Sequence, residues 1–423
     1  MRVLYDISTL GLGHLYQQSR GGSYRVDLHL TEGLAASGEC ELFFCANHST
    51  VAYHGCEAFL SEHPRLARIP LLAPRRSRAH ASVRAMASAA HRSARRIFGS
   101  NVLPGTLRRC AALVDGRLHP PVVGEASAVD VFHAASTPLP APSDRRPPKR
   151  FVTVYDLSYL RFPEIYGAAY RRSTMAALDS LRDDDRIFTA SQFIRDELCE
   201  RGIASVDRIH VVPLAADPAL FSCRPSDEAI AGVRERYAIP EGPYALSVNS
   251  ADPRKNVPHA IHAFARAAHE GGGVLHSLVL SGSPGPGSER IREAIDAYPD
   301  LRDRIVQTGH VPDADLGPLY SGARVFIYPS IYEGFGLPPL EAMQCGTPTI
   351  TSNTSSLPEV VGDAGVMVPP DDVDVLAGAM LDLARDSDRR RCLRERALAR
   401  ARRFSWEEST AATLRAYRTA LET

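Results

Sequence analysis

The chain of 423 residues lacks several features by which specialised classes of protein are recognised. Its eight cysteines include no C-x-x-C pair, so the sequence predicts neither a zinc site nor a disulfide framework. No apolar run is long enough to cross a membrane, and the first residues, MRVLYDIS, are more typical of a strand than of a signal peptide. Basic and acidic residues are equal at 49 each, so the formal net charge is zero. These absences favour a cytoplasmic chain with reduced thiols.

One segment breaks this balance of charge. Between Arg65 and Arg109 the chain has eleven arginines and no aspartate or glutamate. A basic, weakly amphipathic segment of this kind is attracted to an anionic membrane surface or to a diphosphate-linked lipid. Nucleic acid is a poorer fit, because aromatic residues that could stack on bases do not alternate with the arginines. We therefore expect peripheral contact with the inner face of the cell membrane and no nucleic acid partner, with a solvated basic face or loop as the alternative.

Short apolar runs alternate with stretches of helical periodicity, and the length is sufficient for two domains with full cores. This alternation predicts an α/β protein in which two parallel sheets are covered by helices, with ligands at the carboxyl ends of the strands. We place a first domain at 1–217, a polar linker at 218–243 and a second domain at 244–404, with a charged helix at 382–403. The predicted strands are 2–7, 41–45, 129–133, 151–155, 187–190, 210–213, 244–248, 278–280, 304–307, 325–328, 347–351 and 365–368.

The stretch from Ser330 to Gly346, SIYEGFGLPPLEAMQCG, has the features of an anion site. Its glycines let the backbone approach a ligand closely, and its two prolines suit the first turn of a helix that we place from about residue 340. The outward amides of such a helix bind phosphate. Carboxylates beside a phosphate accept hydrogen bonds from neutral hydroxyls, such as those of a sugar and a ribose. Glu333 and Glu341 are the candidates for these contacts. Alternatively, Glu333 is a solvated loop residue and Glu341 only complements the helix dipole.

This stretch resembles the E-x7-E signature of the family 4 glycosyltransferases, which are retaining enzymes with the GT-B architecture. Glu333 and Glu341 stand at the two glutamate positions. The resemblance implies two Rossmann-like, doubly wound domains that face each other across a cleft, with the last helix, 405–423, packing back on the first domain. It also implies a nucleotide-sugar donor held at the second domain, with Glu333 at the donor sugar. The donor-binding residues of this stretch are then Gly334, Phe335, Gly336, Leu337 and Glu341.

The first glycine-rich turn resembles a loop of the same family of enzymes. Residues 8–22 are predicted to form a long turn that opens a helix at Ser23. A plain loop would be the simpler interpretation, but GGSYR is similar to the β1–α1 loop that lies against the donor diphosphate and near the acceptor. The resemblance therefore implies donor contacts for Gly21 and Gly22, and an acceptor-side position for Tyr24.

Two motifs of the second domain also resemble the family. The P-R-K-N motif follows strand 244–248, and its Arg254 and Lys255 can neutralise a diphosphate. Asn249 and Ser250, which lie between the strand and the motif, are placed on the donor side. A solvated Arg-Lys pair would be the alternative without the resemblance. The G-x-V motif, whose backbone commonly meets the nucleotide base, is represented by Gly309, His310 and Val311.

The chain departs from the family pattern at one position. Tyr155-Asp156-Leu157 stands where the family usually has His-Asp-Leu, with the histidine at the donor sugar. A tyrosine can donate and accept a hydrogen bond but is not protonated near neutral pH. We expect Tyr155 and Asp156 to line the cleft, with their roles open. His133 on the acceptor side and His14 could substitute for the missing histidine, or could be structural.

The resemblance implies a retaining, metal-independent hexosyltransferase of surface-polysaccharide biosynthesis. Positive groups already in place stabilise the departing diphosphate, so no cofactor is expected. GDP-mannose is our preferred donor, and the expected acceptor is a saccharide, lipid-linked in view of the Arg65 to Arg109 segment. The alternatives are a GT-B epimerase or phosphorylase acting on the same donors, and a non-catalytic nucleotide-sugar sensor.

Overall fold

The computed structural model describes residues 1–16, 21–46, 50–72, 129–139, 148–222 and 225–422. Most of the segment from Arg65 to Arg109 therefore lies outside the described residues. Two parallel sheets of six strands each are formed, which confirms the predicted α/β class. No helix in the described ranges is long and apolar enough to cross a bilayer.

The strands of the first sheet are β1 (Arg2–Asp6), β2 (Glu41–Cys45), β3 (Val131–Ala134), β4 (Lys149–Thr153), β5 (Arg186–Thr189) and β6 (Ile209–Val211). They lie in the order β2-β1-β3-β4-β5-β6, and all neighbouring pairs are parallel. The strands are almost wholly buried because helices cover both faces of a parallel sheet. The order reverses between β1 and β3, which opens a crevice at the carboxyl ends of these strands.

The strands of the second sheet are β7 (Tyr244–Val248), β8 (Ser277–Ser281), β9 (Ile305–Gly309), β10 (Val325–Tyr328), β11 (Thr349–Ser352) and β12 (Val366–Val368). They lie in the order β12-β11-β10-β7-β8-β9 and are all parallel. This is the doubly wound order of a dinucleotide-binding sheet, in which the crevice opens between the first and fourth strands. The crevice therefore lies at the ends of β7 and β10.

The helices of the first half are α1 (Ser8–Leu15), α2 (Gly22–Ser37), α3 (Thr50–Glu62), α4 (Ser158–Arg161), α5 (Ala168–Asp179) and α6 (Gln192–Glu200). The prediction of a turn throughout 8–22 is wrong, because its first part is α1. The glycines there allow two helices to approach closely. A Cβ at Gly11 would lie 2.4 Å from the carbonyl oxygen of Ala52 in α3, and one at Gly55 would lie 2.1 Å from the carbonyl oxygen of Gly11. The predicted cap at Ser23 is also wrong, since α2 begins at Gly22 with Gly21 as its N-cap.

The helices of the second half are α7 (Asp227–Arg236), α8 (Val257–Glu270), α9 (Ser288–Asp296), α10 (Asp313–Ser321), α11 (Leu337–Gln344), α12 (Leu357–Val361), α13 (Val373–Arg385), α14 (Ser387–Ala401) and α15 (Trp406–Glu422). The segment 218–243, predicted to be a linker, contains α7, whose first turn is capped by Ser226. The single helix predicted at 382–403 is divided at Asp386, because this carboxylate accepts a hydrogen bond from the amide of Arg389 and begins α14.

The last helix, α15, packs on the first half of the chain. Leu414, Tyr417 and Ala420 are buried in the same core as β1 and α2. The hydroxyl of Tyr417 lies 2.6 Å from Nδ1 of His133 in β3. At the start of the helix, the indole ring of Trp406 stacks on His29 of α2, with ring centroids 4.7 Å apart. Through this helix the end of the chain joins the two halves a second time.

Candidate active site

A cavity of about 640 Å3 lies between the two sheets, at the carboxyl ends of β4, β7, β8 and β10. Its size is within the range of small-molecule sites. Both halves of the chain line it. The lining includes, from the first half, Thr9, Gly21, Gly22, Ser23, Arg25, Tyr155 and Asp156, and from the second half, Asn249, Ser250, Lys255, His310, Val311, Glu333, Gly334, Phe335, Gly336, Leu337 and Glu341.

Two helices from opposite halves point their amino ends at this cavity. In the first half α2 begins at Gly22, and in the second half α11 begins at Leu337 after Gly336. Neither helix has an acidic residue in its first turn. The unsatisfied amides and the helix dipole make each end favourable for an anion. A side chain at Gly336 would be strained because its φ is +115°.

Lys255 is a cation of the second half that lines the cavity. Its Nζ donates hydrogen bonds to both carboxylate oxygens of Glu333, at 2.7 and 2.9 Å, and to the hydroxyl of Tyr328, at 2.8 Å. Ser330 donates another to Glu333, at 2.6 Å. Burial alone would raise the pKa of Glu333, but the charges of Lys255 and Arg254 outweigh it and hold this pKa below its ordinary value. Glu333 is therefore an ionised, fully oriented hydrogen-bond acceptor.

Arg254 has a different position from Lys255. Its guanidinium donates to Oδ2 of Asp252 at 2.8 Å and lies 3.6 Å from Oδ2 of Asp156 in the other half of the chain. Burial would lower the pKa of Arg254, but Asp156, Glu333 and Asp252 hold it above its ordinary value. Arg254 thus contributes charge at the edge of the cavity and joins the two halves, whereas Lys255 lines the cavity itself.

Glu341 also makes a contact between the halves. Its carboxylate accepts hydrogen bonds from Arg25 of α2, at 2.8 Å, and from the hydroxyl of Tyr320, at 2.9 Å. Burial raises the pKa of Glu341, although the positive charge of Arg25 opposes the shift. Arg25 also donates to Asp313 at 2.7 Å. A carboxylate accepts about four hydrogen bonds, so Glu341 retains capacity for a ligand hydroxyl. Sequence reasoning missed Arg25, although it belongs to the GGSYR motif.

The turns after β7 and β8 form another wall of the cavity. The backbone of Asn249 approaches Gly282 so closely that a Cβ on Gly282 would lie 1.4 Å from the carbonyl oxygen of Asn249. Ser281, Gly282 and Ser283 line the cavity beside Asn249. Sequence reasoning missed this turn, and the glycine directly after a buried strand was the available signal.

Tyr155 is joined to a buried carboxylate. Its hydroxyl donates to Oδ1 of Asp27 at 2.8 Å, and the hydroxyl of Tyr5 lies 3.4 Å from the same oxygen. Burial raises the pKa of Asp27 to about 7, although the hydrogen bonds from Tyr155 and Thr9 oppose the shift. The tyrosine that stands in place of the family histidine is therefore fixed from behind by Asp27, which sequence reasoning missed.

Asp27 gives a prediction about stability with a definite sign. The pKa of this group is about 7 in the folded chain and about 3.9 in an unfolded chain. As pH rises from about 4 to about 7, the unfolded state loses a proton that the folded state keeps, so the free energy of unfolding falls. In Asp27→Asn this contribution is absent. From pH 5 to pH 8 we therefore expect the unfolding free energy of the wild type to fall, relative to that of Asp27→Asn, by on the order of 2 kcal/mol.

The measurement is urea unfolding of both proteins at the two pH values. Asp388→Asn is a suitable control, because Asp388 is an exposed aspartate whose side chain is 79% accessible. An Asp27→Asn difference that is the same at pH 5 and pH 8 would contradict the raised pKa.

Both residues placed on the acceptor side by sequence are buried away from the cavity. Tyr24 is 7% exposed and packs against Gly13 and Phe59. His133 is fully buried, with Nδ1 bonded to Tyr417 and Nε2 to the hydroxyl of Thr153 at 2.7 Å. Burial lowers the pKa of His133 to about 3, so this ring is neutral. Neither side chain therefore lines the cavity, because side-chain direction on a helix or strand is set by packing.

Aromatic residues of α4, α5 and the loop between them lie at or beside the cavity. Tyr166 and Tyr170 stack with ring centroids 5.1 Å apart, and Tyr170 is 55% exposed. Tyr170 and Tyr159 line the cavity, and Tyr166 lies 5.9 Å from the guanidinium of Arg254. Sequence reasoning missed these tyrosines, since no motif distinguishes them from surface residues.

Comparison with known proteins decides the family. Residues 233–400 match the family described as glycosyl transferases group 1. Over 290 residues the chain is 35% identical to O-antigen chain mannosyltransferase B of Escherichia coli, an alignment that covers 68% of this chain and 74% of that protein. The chain belongs to this family of glycosyltransferases. The family resemblance of the sequence motifs is thereby confirmed, and the protein is a glycosyltransferase enzyme.

Two further similarities extend this result. Over 277 residues the chain is 34% identical to serotype-specific mannosyltransferase WbdA of Escherichia coli, covering 65% of this chain and about a third (34%) of that longer protein. The structure is similar to that of sucrose-phosphate synthase from Thermosynechococcus elongatus, with a TM-score of 0.68, 19% sequence identity and coverage of 99% of this chain and 98% of that one. The fold of this glycosyltransferase is GT-B, as the motifs predicted.

Proposed function

We propose that this glycosyltransferase moves mannose from GDP-mannose to a saccharide acceptor, with retention of configuration at the anomeric carbon. The names of two relatives, both mannosyltransferases, support mannose as the transferred sugar. The first of them is an O-antigen chain enzyme, which supports a role in surface-polysaccharide biosynthesis.

The observation that carries this proposal is the meeting of two helix N-termini and Lys255 at one cavity. The amides at Gly22 and Leu337 approach from opposite halves, and Lys255 approaches from the turn after β7. Three sources of positive potential around one volume match a diphosphate, which carries about two negative charges on adjacent groups. The turn of Ser281 to Ser283 and the exposed His310 border the same volume and would lie beside the nucleoside.

The proposed reaction breaks the bond between the anomeric carbon and a phosphate oxygen. Negative charge develops on that oxygen, and preorganised positive groups stabilise it most effectively. Lys255 and the amides that begin α11 occupy this role. Glu333 accepts three hydrogen bonds from Lys255 and Ser330, which suits a fixed contact to a sugar hydroxyl better than a nucleophile. The acceptor oxygen would then bond to the anomeric carbon on the face that the phosphate leaves, and the acceptor proton would pass to the phosphate oxygen.

We also propose that the transfer requires no metal ion, because the chain's own cations and helix ends supply the charge that a metal would provide. The acceptor would lie at Tyr166 and Tyr170, since the exposed face of an aromatic ring packs well against the apolar face of a sugar ring. Attachment of that acceptor to a lipid diphosphate, and peripheral contact of a cytoplasmic enzyme with the membrane, are proposed from the arginines between Arg65 and Arg109.

The experiment is slow donor hydrolysis, read as release of nucleoside diphosphate from a panel of nucleotide-sugars in EDTA. We expect GDP-mannose to be hydrolysed faster than UDP-glucose, dTDP-rhamnose or GDP-fucose. Hydrolysis of another donor alone would reject GDP-mannose, and activity restored only by added Mg2+ or Mn2+ would reject metal independence. An epimerase would interconvert the donor without release, a phosphorylase would form a sugar phosphate from added phosphate, and a sensor would do neither. NMR of the anomeric proton in the product of the first turnovers tests retention.

A further inference from the structure

A second cavity, of about 540 Å3, lies at the opposite end of the second sheet from the active site. It is bordered by residues that directly precede β7, β10 and β11, whereas the active site lies at the carboxyl ends of β7, β8 and β10. Five arginines line it, and all its other lining residues are glycine, alanine or proline. The arginines, called here the arginine pocket, are Arg234, Arg324, Arg390, Arg391 and Arg394.

Neutral carbonyls hold two of these guanidinium groups in place. Arg390 donates to the carbonyl oxygens of Leu383 and Ala384, at 2.6 and 2.8 Å, where α13 ends. Arg234 donates to the carbonyl oxygen of Gly242 at 2.8 Å and stacks over the ring of Tyr244. These bonds orient the two groups without an ion pair to a carboxylate of the described residues. A rigid, oriented guanidinium loses little entropy when it binds an anion.

Two further cations of the pocket, Arg324 and Arg391, have little compensation from carboxylates among the described residues. Among the described residues Arg324 makes no ion pair, although it is partly buried. Arg391 pairs with Asp388 at 3.0 Å, but both side chains are at least 70% exposed, and pairs of this kind contribute little. Burial and the charge of Arg324 lower the pKa of Arg390, with Asp386 opposing the shift. The cations of the pocket therefore repel one another.

We propose that the arginine pocket binds a diphosphate group, at a site separate from the catalytic cavity. Guanidinium groups match phosphate oxygens in geometry, and several of them around one small volume suit two adjacent phosphates better than a single carboxylate. The small lining residues leave room for the anion and provide no aromatic face for a base. Recognition is thus limited to the phosphates, which a free pyrophosphate or nucleoside diphosphate and the headgroup of a lipid diphosphate have in common.

The test is calorimetric titration of the full chain with pyrophosphate at low salt. To take Lys255 out of the catalytic cavity, the titration uses the double variant Lys255→Met/Glu333→Gln as the common background, which replaces a buried ion pair by neutral side chains of similar size. We expect one pyrophosphate to bind, with affinity that falls as salt increases. Adding Arg324→Gln or Arg391→Gln should weaken it roughly tenfold each, because a charge-assisted contact is lost. Among the described residues, neither side chain bonds a backbone carbonyl, so folding should be preserved, and thermal unfolding checks this.

Arg302→Gln is the matched control, because Arg302 is an exposed arginine of the same half, outside the pocket. It should leave pyrophosphate binding unchanged. The proposal is overturned if the double variant binds no pyrophosphate, or if Arg324→Gln and Arg391→Gln bind it as tightly as Arg302→Gln does.

Flotation with vesicles of neutral lipid containing a polyprenyl diphosphate separates the two sources. If the chain binds these vesicles, pyrophosphate displaces it and Arg324→Gln weakens the binding, the pocket is assigned to the lipid headgroup. Pyrophosphate binding without vesicle binding assigns it to a free diphosphate. The outcome does not depend on the proposed transfer of mannose, because every arm compares variants of the arginine pocket in the same Lys255→Met/Glu333→Gln background.

Discussion

Replacing Lys255 by methionine is expected to lower the transfer rate by a factor on the order of 100 to 1,000, the usual effect of removing one preorganised donor to a developing oxyanion. Only two of the 49 basic residues of this chain are lysines, and one of them stands here. At this position a compact ammonium group bonds both oxygens of Glu333 and the hydroxyl of Tyr328 at once. The planar guanidinium of arginine does not fit three acceptors around a point, so Lys255→Arg should also be strongly impaired.

Loss of stability could produce the same loss of activity, and the pair with Glu333 makes this a real concern. Lys255→Met leaves a buried carboxylate without its cation, which costs about 3–5 kcal/mol in comparable cases. Adding Glu333→Gln removes that uncompensated charge, so the double variant should recover most of the unfolding free energy but none of the transfer activity. Urea unfolding and donor hydrolysis, measured on the same preparations, distinguish the two effects.

The matched control is Lys149→Met, which alters the only other lysine of the chain, at the start of β4 and away from the cavity. It should retain wild-type activity. Full activity in the stable double variant would show that Lys255 does not stabilise the leaving group, and the donor diphosphate would then have to be placed elsewhere.

The parallel sheets and most of the cavity could be predicted from sequence because the signals there are local. Buried parallel strands are short apolar runs, and the glycines and prolines of Gly334 to Pro339 mark a close approach and a helix start within a few residues. Lys255 lies in the turn between β7 and α8, so its place at the carboxyl edge of the sheet was also predictable.

The contacts between the halves could not be predicted, because their partners are far apart in the chain. Arg25 and Glu341 are 316 residues apart, and nothing in either local pattern indicates the other. The same limitation explains Tyr24 and His133. The sequence of a helix or strand that is buried on both faces does not indicate which side chain points to a ligand and which to the core. Here Tyr24 packs on Phe59 and His133 bonds Tyr417, so both side chains point into the core.

Gly334→Ala is expected to reduce transfer by about 100-fold with little effect on the folding of either half. A Cβ at this position would lie 2.0 Å from the carbonyl oxygen of Tyr155, on the opposite side of the cleft. The carbonyl oxygen of Gly334 also accepts a hydrogen bond from Ser191 of the first half, at 2.7 Å. An added methyl group therefore has to push the two halves apart by roughly 1 Å, and a displacement of that size at reacting groups costs about 100-fold in rate.

Gly378→Ala is the matched control for this change. Gly378 is an exposed glycine within α13, with no atom within 4 Å of an added Cβ, so alanine there should raise the free energy of unfolding slightly and leave transfer unchanged. For Gly334→Ala, kcat should fall for transfer to the acceptor, and small-angle scattering should report a larger radius of gyration. The contact at Gly334 joins the loop before α11, the helix at which we propose the donor diphosphate, to the strand end that carries Tyr155. If Gly334→Ala transfers sugar at the wild-type rate, catalysis takes place with the halves further apart, and Tyr155 and Asp156 are then too distant to act on the donor sugar.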